Sequence, residues 1–338
     1  MKLRVGLIGL GEAWETRHRP ALRALSDRLE VRAICDQVAH RAQQAAQEFN
    51  ATPIDGFRAL AQREDIDALV MLAEQWYGSL PILAACDAGK AVYCAVTPHL
   101  ELAEALRLKQ RVEESGIAFM AEFPRRQAPA TLRLKELIAT QLGEPRLLFC
   151  HRRVPVKNGP APRPRTCSKA PETRDLVELV DWCRYVVGRD PTSVFGIEHH
   201  VDPNAAAEDY TMMNVDFSGP SPAGTGTAAQ ISCGTYMPVQ WEEAVTFRPP
   251  PALQVACQNG IAFIDLPTSL IWFDRAGRHQ ESLDSERPVG EQLLAQFYRS
   301  VTSLVRNTSG LEDAYRALSV VLAARTSHRE GRRIFLNS

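Results

Sequence analysis

The stretch "VGLIGLGEAWETRHRPAL", Val5 to Leu22, decides the fold. It opens on an apolar run suited to a strand buried on both faces. Gly9 and Gly11 then supply a tight turn, and without Cβ atoms they let backbone N–H groups approach a pyrophosphate at the start of the next helix. A third glycine normally lets that helix pack closely on the strand, and here Trp14 occupies its place. An indole at that point requires a turn one residue longer and a later helix start, with Thr16 as N-cap before Arg17, His18, Arg19 and Pro20.

Working outward, short apolar runs alternate with amphipathic ones as far as Phe123. They read "LRVGLIGL", a helix from about Arg17, "LEVRAIC", a helix over 38–50, "IDALVML", a helix over 78–88, "AVYCAV", a helix over 101–115 and "IAFMAEF". Strict alternation of strand and helix predicts parallel strands with crossovers, a doubly wound α/β Rossmann sheet. The second strand ends at Asp36, near the spacing at which a carboxylate caps the adenosine ribose hydroxyls. Gly9, Gly11, Glu12, Ala13, Trp14 and Asp36 are therefore the candidate nucleotide-binding residues. A 2′-phosphate would meet the Asp36 carboxylate, so NAD is expected over NADP. The competing reading is a plain βα turn with Asp36 as an ordinary strand end. Glu12 and Glu15 would each oppose a pyrophosphate by roughly 1–3 kcal/mol at an effective dielectric of about 20. Arg17 and Arg19 are placed to offset them, and Glu15 also suits a helix start.

After Phe123 the rhythm changes. A helix over about 128–140 stops at Gly143 and Pro145, the strand "RLLFCHRRV" follows, and "PVKNGPAPRPRTCSKAPE" reads as a long irregular loop. The helix "DLVELVDWCRYVVG" comes next, with Leu176, Leu179, Val180, Cys183 and Val187 at helical spacing. From about 193 to 275 the pattern is β, a mostly antiparallel open sheet. Helices over roughly 289–306 and 311–329 and a final "RRIFL" close the chain. The expected domains are 1–123, which binds the dinucleotide, and 124–338, an α/β domain for substrate and oligomerisation.

With 39 basic and 40 acidic residues among 338, no global field favours nucleic acid or an anionic membrane, and the partner is sought as a small molecule at a site. The eight cysteines include no C-x-x-C pair and read as reduced, buried thiols. No apolar run approaches the ~18 residues of a membrane span, and a cytoplasmic protein is expected. His199, His200, Asp202, Glu208 and Asp209 match no metal-ligand spacing, so no metal is expected. Arg152, Arg153, Lys157, Arg163 and Arg165 mark either a subsite for an anionic substrate group or a solvated loop.

The opening turn with "RHRPAL", then "AICD", "DIDALVMLA", the long block from "AACDAGKAVYCAVTPHLELAEALRLKQRVEESGIAFMAEF" to "PRRQAPATLRLKELI", and the closing "LEDAYRALSVVLAARTSHREGRRIFL" resemble the Gfo/Idh/MocA family. This is the glucose–fructose oxidoreductase, inositol dehydrogenase and rhizopine-catabolism family. The resemblance implies a Rossmann domain followed by an α/β domain whose open sheet forms a subunit interface. It also implies hydride transfer between NAD(P) and a sugar, cyclitol or related polyol. A homo-oligomer, dimer or tetramer, is thus expected, with Ile231, Tyr236, Val245 and Phe247 as its apolar surface.

Two departures bear on chemistry. Where the family carries Glu-Lys-Pro, Pro98 is kept but the lysine position falls on Thr97. In the family's D-x-G-x-H-x-x-D helix pattern, Asp181 matches the last acid, Glu178 stands at the histidine and Arg174 at the first aspartate. Glu178 with Arg174 reads either as a base with its partner or as an ion pair at the mouth of a cleft. "AEQWYG" occupies the place of T-P-N. Ala73 and Trp76 there are candidate cofactor contacts, while Trp76 and Tyr77 either stack on the nucleotide or pack under a loop. Two functions follow: an oxidoreductase whose proton is handled by Thr97, Glu178 or a tyrosine such as Tyr93, or a catalytically silent sensor that binds a dinucleotide or a sugar.

Overall fold

The computed structural model describes residues 2–11, 13–73, 77–95, 101–155, 170–199, 210–218, 226–237, 250–283, 287–303 and 309–336. The chain divides into two units, Met1–Pro124 with Glu286–Tyr315, and Arg125–Ser285 with Arg316–Ser338. The first unit thus takes back a late helix, α8 (Val289–Thr302), which a division at residue 123 alone does not anticipate. Its Leu293, Leu294 and Phe297 are buried with Leu7, Leu22 and Tyr93, so hydrophobic burial recruits it across the sequence.

The first unit is built on β1 (Leu3–Ile8), β2 (Leu29–Cys35), β3 (Thr52–Pro53), β4 (Ala68–Met71), β5 (Ala91–Cys94) and β6 (Phe119–Ala121). All pairings are parallel, in the order β3-β2-β1-β4-β5-β6. Every residue of β4 and β5 is buried, which is why those runs lack polar alternation. The helices are α1 (Arg19–Ala24), α2 (Ala39–Phe49), α3 (Phe57–Ala61), α4 (Leu80–Asp87) and α5 (Leu102–Ser115). The sequence reading did not anticipate α3 and β3, which are short.

The expectation of a later helix start after Trp14 is overturned. Winding begins at Trp14 itself, as a π-helical turn (Trp14–His18) that runs directly into α1, and no side chain caps it. The Arg17 and His18 N–H groups both reach the Ala13 carbonyl, at 2.9 and 3.1 Å. The extra residue is therefore absorbed inside the helix as a wider turn rather than added to the loop before it. The Trp14 indole is buried and packs at 5.9 Å on Phe49 of α2.

The second unit holds a mixed, mostly antiparallel sheet of nine strands: β7 (Pro145–Pro155), β8 (Ser193–His199), β9 (Tyr210–Asp216), β10 (Ala228–Met237), β11 (Leu253–Cys257), β12 (Ile261–Ile264), β13 (Ser269–Asp274), β14 (Gly277–Ser282) and β15 (Ile334–Phe335). Only β7 and β10 pair in parallel. Arg152 and Arg153 lie on β7, within the predicted strand, and residues 156–169 of the predicted loop lie outside the described residues. Helix α6 (Pro129–Leu137) packs on β12 and β13, and α7 (Ala170–Val187) packs on β7 and β10. The last helix, α9 (Ser309–Glu330), contributes Val320, Val321 and Ala324 to the buried residues of this unit.

One face of this sheet carries Leu147, Phe149, Phe263, Ile271, Phe273 and Ile197, of which Leu147, Ile197 and Phe273 are exposed. Ile231, predicted for that surface, is fully buried instead, because strand alternation turns it to the other face with Cys233 and Ala229. Val245 and Phe247, and the side chain of Tyr236, lie outside the described residues.

Candidate functional site

In the first unit the carboxyl ends of five strands form one hydrogen-bonded row. Gly9 N–H donates to Cys35 (2.8 Å), Leu72 to Ile8 (2.9 Å), Ala95 to Met71 (2.9 Å) and Glu122 to Cys94 (2.8 Å). Asp36, Gly9, Ala73, Ala95 and Glu122 therefore line a single edge, the edge at which open α/β sheets bind ligands. Gly9 has φ +71°, and a Cβ there would lie 2.6 Å from the Ala73 Cβ. A Cβ on Gly11 would lie 2.1 Å from the Leu72 carbonyl oxygen. Both glycines are thus required by close backbone approach to the end of β4, which brings Gly9, Gly11 and Ala73 together as candidates. Ala13 precedes the π-helical turn. Glu12, Trp76, Thr97 and Pro98 lie outside the described residues.

Asp36 is fixed at both oxygens. Leu10 N–H donates to Oδ2 at 2.7 Å and Val38 N–H to Oδ1 at 2.9 Å, while Arg41 donates to the Leu10 carbonyl. The cations expected to face a pyrophosphate have other partners. Arg17 pairs with Glu122, and Arg19 pairs with Glu15 and with Glu48 at 2.9 Å. Glu15 is therefore neutralised by its i+4 neighbour rather than left facing a phosphate.

Two tyrosines near this edge are engaged by their surroundings. Tyr93 is fully buried, packs on Phe297 at 5.4 Å and donates to Glu122 at 2.6 Å; burial and that carboxylate push its phenol well up. Tyr77 packs edge-on to Phe57 at 5.0 Å, and burial, with the Cys35 thiol beside it, pushes it up to about 12.

In the second unit the site residues gather on α7. Leu176, Leu179, Val180 and Cys183 bury one side of the helix, leaving Asp175, Glu178 and Asp181 at i, i+3 and i+6 along another. The predicted Arg174–Glu178 pair does not form among the described contacts. Glu178 instead faces Arg125 Nε at 3.1 Å and Arg152 at 3.7 Å, cations that α7's own sequence cannot reveal. Arg152 lies closer still to Asp175, at 2.8 Å. Burial raises the Asp175 carboxyl above its ordinary value, against the pull of Arg152. Asp181, 1% exposed, accepts from Arg126 Nε at 2.7 Å and from a second guanidinium N–H, and has Arg184 at 3.7 Å.

Arg125 and Arg126 also sit over Trp182 and Tyr185, at 4.8 and 5.2 Å from the ring centroids. Sequence reading missed these two arginines and Asp175. The signal was present in the "FPRR" that follows β6 and in the i, i+3 spacing of Asp175 to Glu178. Among the described residues no three His, Cys, Asp or Glu side chains are grouped as a metal would require, and no helix is long and apolar enough to cross a membrane. The seven described cysteines are free and buried.

A six-stranded parallel sheet in this order, with an open glycine turn on its carboxyl edge, defines a dinucleotide-binding Rossmann domain. Residues 3–123 match the model of the GFO_IDH_MocA oxidoreductase family, NAD-binding Rossmann fold. It is 32% identical over 126 residues to dTDP-3,4-didehydro-2,6-dideoxy-alpha-D-glucose 3-reductase of Actinomadura kijaniata, covering 36% of each chain. It is 27% identical over 190 residues to inositol 2-dehydrogenase 3 of Saccharopolyspora erythraea, covering 55% of this chain and 54% of that one. The chain thus spans about a third to a half of these curated relatives. A solved levoglucosan dehydrogenase, in complex with NADH and levoglucosan, superposes with a TM-score of 0.84 over 100% of both chains at 16% identity, a likeness of fold.

Proposed function

We propose that this protein is an NAD-dependent oxidoreductase acting on a hydroxyl of a sugar, cyclitol or related polyol. The observation that carries the reading is the glycine turn, where Gly9 and Gly11 leave no room for a side chain against Leu72 and Ala73 on the carboxyl edge of a parallel sheet. Its supports are the oxidoreductase family model that residues 3–123 match and the sugar and inositol enzymes among the similar proteins. NAD is favoured over NADP because Asp36 is locked at the end of β2, where a 2′-phosphate would meet a carboxylate. On α7, Glu178 stands in the place of the family histidine, and Thr97 replaces the family lysine. The arginines around α7, Arg125 and Arg152, favour a substrate that also bears a carboxylate or phosphate group. The apolar sheet face with Leu147, Phe263 and Phe273 supports a homo-oligomer.

One observation favours a second reading, a catalytically silent sensor of the same fold. Glu178 already faces two guanidinium groups, so the residue at the histidine position has the surroundings of an ion-pair partner rather than of a free base. Calorimetric titration with NAD, followed by assay of nicotinamide reduction over a panel of sugars, inositols and their acids, separates the two. Binding with turnover supports the enzyme, binding without turnover supports the sensor, and no NAD binding removes the enzyme and leaves only a sensor that takes a sugar alone.

A further inference from the structure

The carboxylate of Glu122, 1% exposed in its side chain, has no part in the chemistry argued above, yet it collects donors from two separate parts of the nucleotide-binding edge. Arg17 binds its Oε1, and His18 Nε2 lies 2.8 Å from its Oε2; both belong to the π-helical turn that follows the glycines. Because a carboxylate only accepts, His18 donates through Nε2. Its other ring nitrogen, Nδ1, is buried with no hydrogen-bond partner among the described residues, so this single contact fixes the ring. Tyr93 of β5 donates to Oε2 at 2.6 Å, and Glu122 itself is bound to β5 through its own N–H.

In a doubly wound sheet the dinucleotide lies across two mononucleotide-binding halves, β1 to β3 and β4 to β6. Arg17 and His18 belong to the first half, whereas Tyr93 and Glu122 belong to the second. The geometry points to Glu122 as a positioning residue that sets the separation of the two halves, so that both ends of one dinucleotide are held at once. A π-helical turn is a wide and poorly reinforced piece of backbone, and pinning it by two adjacent side chains to one buried carboxylate removes that freedom. Burial by itself would raise the Glu122 carboxyl, but the contacts from His18, Arg17 and Tyr93 hold it below its ordinary value, as a residue kept charged to bind cations requires.

This role rests on the nucleotide reading above, and a half-ligand distinguishes the two. ADP engages the first half alone, whereas NAD engages both. In the intact protein, Glu122→Gln is expected to weaken NAD binding about tenfold while ADP stays within about twofold of wild type, a loss confined to the linkage between halves. Should that variant fail to fold, Tyr93→Phe, which deletes one hydroxyl, is expected to show the same selective loss at about threefold. A merely structural role would weaken both ligands together, and that result overturns the proposal, as does NAD affinity equal to wild type. Wild-type protein that takes up neither ligand overturns the nucleotide reading and this role with it.

Discussion

Arg125 Nε lies 3.1 Å from Oε1 of Glu178, so the carboxylate proposed as the base meets a cation that arrives from just beyond β6 rather than from its own helix. General acid–base assistance contributes about 10²–10⁴-fold, and a carboxylate so engaged is a poor substitute for a free imidazole. Purified protein with NAD and simple polyols is therefore expected to reduce nicotinamide slowly or not at all, and Glu178→Gln to abolish what is seen. Vigorous turnover that survives this substitution would move the proton chemistry to Thr97, Tyr93 or Tyr77.

The nucleotide preference is expected to be NAD over NADP by at least about tenfold, since a 2′-phosphate near Asp36 meets like charge. Asp36→Ser should narrow that ratio by improving NADP and weakening NAD. Calorimetry showing tighter NADP binding to wild type would defeat the assignment.

Asp175 should lower stability as pH rises, although Asp181 lies on the same helix and is fully paired with Arg126. The Asp175 carboxyl is raised above its unfolded value near 3.8, so its contribution to stability is present at low pH and is lost as pH rises through the folded value. Asp175→Asn, which mimics the neutral form, should match or exceed wild-type Tm at pH 7, with the difference fading toward pH ~3. Asp181→Asn strips a buried charge pair with Arg126 and should cost about 3–5 kcal/mol. Thermal unfolding of the two variants across pH decides this, and a large loss of Tm at pH 7 in Asp175→Asn would contradict it.

The exposed apolar face of the second unit predicts self-association. Light scattering is expected to give a multiple of the 37.5 kDa chain mass, and Leu147→Asp with Phe273→Asp to shift it toward the monomer. A wild-type monomer at micromolar concentration would refute the interface.

Much of the fold was legible because it rests on local signals. The strand–turn–helix at Gly9 and Gly11 and the helical spacing along "DLVELVDWC" need nothing beyond their own residues. Where prediction failed, the deciding contacts were distant in sequence. The Trp14 turn winds as a π-helix with its indole against Phe49, Ile231 turns inward by register, and α8 returns to the first unit because Leu7, Leu22 and Tyr93 lie open to cover it.

The sequence by itself determined the class of fold and the glycine turn, because each is a statement about residue type at a position. Only the tertiary structure decided who faces whom. Arg125 and Arg152, not Arg174, meet Glu178, and Glu122 gathers Arg17, His18 and Tyr93 across 105, 104 and 29 residues of chain. Charge pairing acts over a few ångströms of space, and a linear pattern carries that distance only within one helix or one strand.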